Sequence, residues 1–102
     1  MYLINTSFHA ERSVADAIIE EVRAGLMPKM QASTLFSQLL MAEILVEVDP
    51  DCKSFTLQGL TPDLDKAMEW LHSDGAACFA ELHRRYGQKV VFFTTPMQVI
   101  NQ

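Results

Sequence analysis

The sequence lacks a long hydrophobic run, and this absence limits where the protein can act. No apolar stretch approaches the roughly 18–20 residues that a helix needs to cross a bilayer. The opening residues Met1-Tyr2-Leu3-Ile4-Asn5 also lack the basic start and long apolar stretch of a secretory signal peptide. We therefore expect a cytoplasmic protein that does not associate with membranes.

Positive charge is also scarce. The chain carries eight Lys and Arg residues against thirteen Asp and Glu residues, which gives a formal net charge of -5 at pH 7. A general phosphate-binding surface needs an excess of positive charge. We therefore expect no nucleic-acid partner, and the same argument disfavours binding to anionic lipid surfaces.

Cysteine and glycine are too few and too dispersed to form a recognisable functional motif. The two cysteines, Cys52 and Cys78, lie far apart, whereas a disulfide framework needs more cysteines and a metal motif needs closer pairing. We expect both to be free thiols. The four glycines are isolated, so no glycine-rich phosphate loop is present. The sequence therefore predicts neither a metal site nor a cofactor.

The 102 residues that are present have an ordinary globular composition, 49% apolar and 21% charged. A chain of this length predicts a single domain over residues 1–102. Hydrophobic periodicity divides it into six segments. In order they are a strand, a helix, two strands, a helix and a strand, at residues 2–8, 13–27, 35–48, 53–60, 61–86 and 90–95.

A proline or a glycine bears on where these segments end at three points. Pro28 predicts that the first helix ends near Met27 and that residues 29–34 form a turn. The second helix is predicted to continue through Ser73-Asp74-Gly75, because its apolar stripe keeps its phase there. Pro96 is predicted to end the last strand, with the tail after it either a short edge strand or loose.

The segment order predicts an α+β, ferredoxin-like βαββαβ fold. Short spacing makes the second and third strands a hairpin, and each strand–helix–strand crossover is right-handed. Two such crossovers around a central hairpin give a four-stranded antiparallel sheet with both helices on one face.

Several segments together are similar to those of a bacterial family that carries a domain-of-unknown-function label. These are the opening Asn5-Thr6-Ser7-Phe8-His9, the strand segment Phe55-Thr56-Leu57-Gln58, the helix-ending Pro28 and the closing run from Tyr86 to Thr95. The chain departs from the family pattern at Ala10-Glu11-Arg12. The resemblance implies a ferredoxin-like fold of the dimeric α+β-barrel kind and carries no activity.

Helices on one face of the sheet leave its other face open. The alternation after residue 38 places one set of residues on a shared face: Leu40, Ala42, Ile44, Val46 and Val48. It assigns Leu39, Met41 and Leu45 to the open face, together with Leu3 and part of residues 90–93. An apolar surface of this extent is unusual on a small monomer. Pairing two such faces about a two-fold axis would cover it, so we expect a homodimer. A lipid-like ligand or a different partner subunit remains an alternative.

Polar residues are predicted on the same open face, and four of them are the candidate ligand-binding residues: Asn5, His9, Glu43 and Gln58. Apolar walls with a few converging polar groups are typical of small-molecule sites. Histidine is the side chain best suited to acid–base chemistry near neutral pH, so His9 with an adjacent Glu43 would make an acid–base pair. The alternative interpretation is that Asn5 and Gln58 only form hydrogen bonds between strands and that His9 ends its strand.

The sequence leaves the function unknown, with hypotheses from different classes. The leading one is a small homodimeric binding or interaction domain, with a small molecule as its potential ligand. The alternative is a cofactor-independent enzyme of the dimeric α+β-barrel kind, similar to a monooxygenase or an isomerase, by analogy of fold alone. Its mark would be a cavity of a few hundred Å3, roughly the size of known ligand pockets, that contains His9 or Asn5. A third hypothesis is a regulatory domain of a larger assembly.

Overall fold

Four strands form one antiparallel sheet in the order β2-β3-β1-β4. They are β1 (Tyr2–Glu11), β2 (Ser37–Glu43), β3 (Cys52–Thr61) and β4 (Val90–Gln98). Strand β1 pairs with β3 on one side and with β4 on the other, and β2 lies outside β3. This is the predicted ferredoxin-like sheet.

Helical segments cover one face of this sheet in the computed structural model, which describes residues 1–47 and 49–102. The segments are α1 (Arg12–Glu21), a wider π-helical turn (Val22–Leu26), α2 (Met27–Ala32), α3 (Leu64–His72), α4 (Ala76–Tyr86) and a short 3-10 turn (Gly87–Lys89). Within the described residues, no helix is both long enough and apolar enough to span a bilayer.

The core lies between the sheet and the helices. Alternate residues of β1 and β3 are buried there, and the rings of Phe8 and Phe55 stack with centroids 4.7 Å apart. The first helical segments contribute buried side chains to the same core, from Ile18, Val22 and Leu26. Each such aliphatic or aromatic side chain contributes about 1.5–3 kcal/mol on burial. The period-two pattern of β1 and β3 therefore fixes which sheet face receives the helices.

Pro28 does not end the first helical region, contrary to the prediction. The chain stays helical to Ala32, so the predicted turn at residues 29–34 is wrong for its first four positions. The π-helical turn explains this, because the Met27 N–H bonds to the Val22 carbonyl five residues back. Pro28 then occupies the first turn of α2, where a missing N–H breaks no helical hydrogen bond.

The predicted second helix is divided into α3 and α4. The backbone leaves helical geometry at Ser73, whose hydroxyl donates to the Glu69 carbonyl at 2.8 Å. The Gly75 N–H then bonds to the Trp70 carbonyl at 2.9 Å. A Cβ at residue 75 would lie 3.0 Å from the Trp70 ring, so the close approach of the turn to this ring favours glycine.

Strand β4 continues through Pro96, contrary to the prediction that it ends there. Pro96 lies opposite Ile4, and β4 pairs on one side only. An edge strand tolerates proline because the missing N–H can belong to the unpaired side. The extension carries β4 to Gln98.

The predicted alternation of the second strand is reversed in β2. Met41 lies opposite buried Leu57, whereas Leu40 and Ala42 lie opposite Gln58 and Thr56 on the open face. A bulge with Gln38 at φ 50° shifts the register between Ser37 and Leu40. Leu39 packs over Gly59 on the helix side. Residues 44–47 lie beyond β2, and the prediction for Val48 falls outside the described residues.

Candidate functional site

A stripe of polar residues runs along the middle of the open sheet face. Three opposed pairs from the two central strands form it: Asn5 with Gln58, Ser7 with Thr56 and His9 with Ser54. The Asn5 side-chain N–H donates to Ser7 Oγ at 3.0 Å. His9 Nδ1 and Ser54 Oγ share a hydrogen bond of 2.6 Å. The stripe follows from alternation, because the intervening residues of both strands face the core.

The structure brings Asn5 and Gln58 together but separates them from His9. Asn5 and Gln58 are direct cross-strand partners, and His9 lies four residues further along β1. At about 3.3 Å per residue the two ends of the stripe are about 13 Å apart. One small ligand contacting His9 therefore could not also contact Asn5 directly.

The register of β2 directs Glu43 to the helix side of the sheet, at its edge, where it lines a small polar cleft together with His9. It pairs in register with Phe55, whose side chain is in the core. Its carboxylate lies 3.2 Å from Lys53 Nζ and forms an ion pair there, not with the His9 ring. Glu43 and His9 therefore border one cleft without a direct contact between them, and their pairing as acid and base stays a prediction.

Apolar residues flank the polar stripe on both outer strands. On β4, Val91 and Phe93 are 58% and 59% exposed. On β2, Leu40 is exposed, and the segment that follows exposes Ile44, Leu45 and Val46. The open face therefore has a polar centre and apolar margins.

A small polar cleft of about 110 Å3 lies at the end of the stripe. His9 of β1 and Cys52 and Ser54 of β3 meet Asp49 of the β2–β3 loop there. One nitrogen, one carboxylate oxygen and one sulfur of His9, Asp49 and Cys52 lie within 4.8 Å of one another. Burial and the Asp49 carboxylate raise the pKa of the Cys52 thiol, so without a bound cation it is protonated at neutral pH.

Asp49 and Cys52 were missed as candidate residues in the sequence analysis. More than forty positions separate His9 from Cys52 in the sequence. Only the pairing of β1 with β3, in which Glu11 lies opposite Cys52, brings the end of β1 to the loop. No local motif carries that information.

An apolar pocket of about 390 Å3 lies between β4 and the two C-terminal helices. Its apolar walls are formed by Met68, Leu71, Ala76, Phe79, Phe92 and Phe93. His72 and Thr94 supply the polar groups, and the Thr94 hydroxyl bonds to that of buried Thr6 at 2.8 Å. Neither His9 nor Asn5 lines this pocket. The pocket could hold a small apolar molecule.

The basic cluster at the end of α4 is engaged by internal ion pairs. Arg84 and Arg85 both bond to Glu81, at 2.6 and 2.9 Å, and Arg85 also bonds to Glu21 at 2.7 Å. The hydrogen bond from Arg84 is the largest cause that lowers the pKa of Glu81 to about 2. These contacts leave the two guanidinium groups little capacity to bind an external anion.

The sequence matches the model of one protein family, DUF4286, described as a domain of unknown function, over residues 1–100. The chain belongs to the DUF4286 family. This confirms the resemblance to a family of about one hundred residues with no assigned function. A search of functionally curated proteins finds no match.

Solved structures similar to this DUF4286 chain support the fold. A Deinococcus radiodurans protein assigned provisionally to the antibiotic biosynthesis monooxygenases has a TM-score of 0.69 at 16% identity, covering 100% of this chain and 95% of its own. An ethyl tert-butyl ether D family protein from Bacillus halodurans has a TM-score of 0.64 at 10% identity, covering 93% and 97%. A dimeric ferredoxin-like protein from an uncultured marine organism has a TM-score of 0.65 at 6% identity, covering 98% and 96%. At these identities the likeness shows the ferredoxin-like fold alone.

Proposed function

We propose that this DUF4286 chain is a homodimeric binding domain, in which two copies pack their open sheet faces together. The observation that carries the proposal is the pair of exposed apolar margins on that face, above all Val91 and Phe93 on β4 and Leu40 on β2. Large apolar patches of this kind mark association surfaces on small soluble domains.

A second copy suits this face better than a ligand or a helix would. A two-fold axis through the polar stripe places each apolar margin against a margin of the partner, while the stripe residues can bond to one another. Two sheets pack about 10 Å apart, and a stable dimer buries about 800 Å2 on each partner. The similar protein from the uncultured marine organism is itself described as dimeric.

The apolar pocket beside β4 is where we propose that the dimer binds a small apolar molecule. Phe93 belongs both to the pocket wall and to the exposed margin of the sheet. A partner packed on that margin would immobilise the Phe93 ring and close one side of the pocket. Binding of the ligand and association of the chains are therefore expected to favour each other.

The dimer is tested by placing one negative charge on the margin. Val91→Glu is expected to convert the dimer to monomer in sedimentation velocity, because a carboxylate would have to be buried in the interface. Ala24→Glu adds the same charge to the exposed surface of the π-helical turn and is expected to leave the dimer intact. A dimer that survives Val91→Glu, or a wild-type monomer, would overturn the proposal. A wild-type monomer would instead direct the search to a different partner subunit.

The enzyme hypothesis gains no support from the cavity. Its predicted mark was His9 or Asn5 inside a cavity of a few hundred Å3, and the 390 Å3 pocket contains neither. His72 lines that pocket, but it is an exposed residue at the end of α3. We therefore propose binding, and not catalysis, as the function that this geometry supports.

A further inference from the structure

Three side chains that can bind a metal converge at one end of the open face. His9 comes from β1, Cys52 is the first residue of β3, and Asp49 lies in the loop that leads into β3. Their ligand atoms lie within 4.8 Å of one another, and Cys52 Sγ is 3.7 Å from Asp49 Oδ2. No other group of three such side chains is this close in the described part of the chain.

Hydrogen bonds of the backbone and of two side chains hold the loop in this position. The Cys52 N–H donates to the Asp49 carbonyl at 3.1 Å, and the Asp51 N–H donates to Asp49 Oδ1 at 2.9 Å. The Arg12 backbone N–H bonds to the Asp51 carbonyl at 2.8 Å, and its Nε bonds to the Pro50 carbonyl at 2.7 Å. These contacts tie the loop to the start of α1 and leave Asp49 Oδ2 directed at the thiol.

The His9 ring makes a hydrogen bond of the kind that metal-bound histidines usually make. Its Nδ1 shares a 2.6 Å hydrogen bond with Ser54 Oγ, which leaves Nε2 available as a ligand atom. Metal-ligating histidines commonly hold one ring nitrogen on a neighbouring polar group, and this fixes both the tautomer and the ring plane. This hydrogen bond is independent of the loop contacts.

The two cations that border the cleft are engaged by other groups. Arg12 pairs with Glu47 at 3.2 Å, and Lys53 pairs with Asp16 at 3.1 Å and with Glu43 at 3.2 Å. Asp49 therefore has no ion-pair partner among the described residues. A bound divalent cation would balance its charge together with that of a Cys52 thiolate.

We propose that His9 Nε2, the Asp49 carboxylate and Cys52 Sγ bind a zinc ion, with the fourth tetrahedral position open to water or an external ligand. Imidazole, thiolate and carboxylate together suit Zn2+ better than the harder Mg2+ or Ca2+. Ligand atoms in a tetrahedral zinc site are about 3.3–3.8 Å apart, so the cluster closes by about 1 Å on binding. This inference does not rest on the proposed dimer.

Zinc affinity of the metal-stripped protein, measured by competition with a chromophoric chelator, tests the site. Cys52→Ser and His9→Gln are each expected to weaken binding by more than about 100-fold, because each removes one of three ligands. Ser54→Ala is expected to weaken it by about 10–100-fold through loss of the ring support. Cys78→Ser and His72→Gln are the matched controls and are expected to leave the affinity unchanged.

Cobalt(II) in place of zinc provides a second measurement that reports the ligand directly. A thiolate-to-cobalt charge-transfer band is expected in the wild-type protein and in Cys78→Ser, and is expected to be absent in Cys52→Ser. Zinc should also raise the thermal unfolding midpoint of the wild type but not of Cys52→Ser. A band that persists in Cys52→Ser, or zinc affinity that His9→Gln leaves unchanged, would overturn the assignment.

Discussion

At the scale of single residues, a glycine in the turn between α3 and α4 and a glycine in the π-helical turn have opposite surroundings. A Cβ on Gly75 would lie 3.0 Å from the Trp70 ring and 3.2 Å from the Leu71 Cα. A Cβ on Gly25, in the π-helical turn, would meet nothing within 4 Å. Gly75→Ala is therefore expected to destabilise the protein by about 1–3 kcal/mol, since backbone and ring must move apart. Gly25→Ala is expected to stabilise it by about 0.4–1 kcal/mol by restricting the unfolded chain.

Urea unfolding of the two variants beside the wild type measures this difference. The midpoints should move in opposite directions while the slope stays constant, which would show that only stability has changed. If Gly75→Ala is neutral or stabilising, α3 and α4 do not meet at the tight turn described above, and the continuous helix predicted from the sequence regains support.

At the scale of elements, the core face of a strand was predictable wherever only its even or only its odd positions were apolar. In β1 the odd positions include Asn5, Ser7 and His9, so the pattern assigned the core face correctly. In β2 both parities are apolar from Leu39 to Ala42, and periodicity alone could not choose between them. The bulge at Gln38 determines which of the two sets of positions faces the core. For the same reason, the sequence did not predict the ion pair of Glu43 with Lys53 or the position of His9 beside the β2–β3 loop.

The predictions at Pro28 and Gly75 in the helices are wrong for a related physical reason. Pro28 and Gly75 were each interpreted by their usual local effect, an end for proline and a tolerated gap for glycine. The π-helical turn lets the helix continue past Pro28. The close approach of the Trp70 ring to Gly75 accompanies the break between α3 and α4. Both outcomes depend on contacts between residues that helical propensity does not describe.

The register of β2 is tested by truncating two neighbouring residues in turn. Met41 is half-buried on the helix side and Leu40 is exposed on the open face. Met41→Ala is expected to cost about 1–2 kcal/mol of folding stability, below the range for a fully buried methionine. Leu40→Ala is expected to change it by less than about 0.5 kcal/mol. Unfolding should be measured in the Val91→Glu background, so that association does not contribute.

The opposite ranking of the two losses would restore the alternation predicted from the sequence and would move Met41 to the open face. Leu40→Ala has a second readout without the Val91→Glu change. In the protein without Val91→Glu, Leu40→Ala should weaken the dimer and Met41→Ala should not, because only Leu40 of the two lies on the proposed interface.

At the scale of the whole molecule, the proposed dimer and the apolar pocket are linked by Phe93, and they can be separated by variants. Ala76 lines the 390 Å3 pocket, whereas the adjacent Ala77 lines a different groove beside Val22 and Leu26. Ala76→Phe is therefore expected to fill the pocket and exclude a ligand, while Val91 and Leu40 of the open sheet face lie outside the pocket. Ala77→Phe adds the same ring elsewhere and serves as the control.

Native mass spectrometry of untagged protein, purified gently from its own cells, compares these variants in one measurement. The wild type and Ala77→Phe are expected to show twice the chain mass plus a bound small molecule, and Ala76→Phe the dimer mass alone. An adduct that Ala76→Phe retains would place the ligand outside this pocket, and an adduct-free wild-type dimer would leave association as the function. Loss of the dimer in Ala76→Phe would mean that the occupied pocket supports the interface, because only the ring at residue 76 distinguishes it from the wild type.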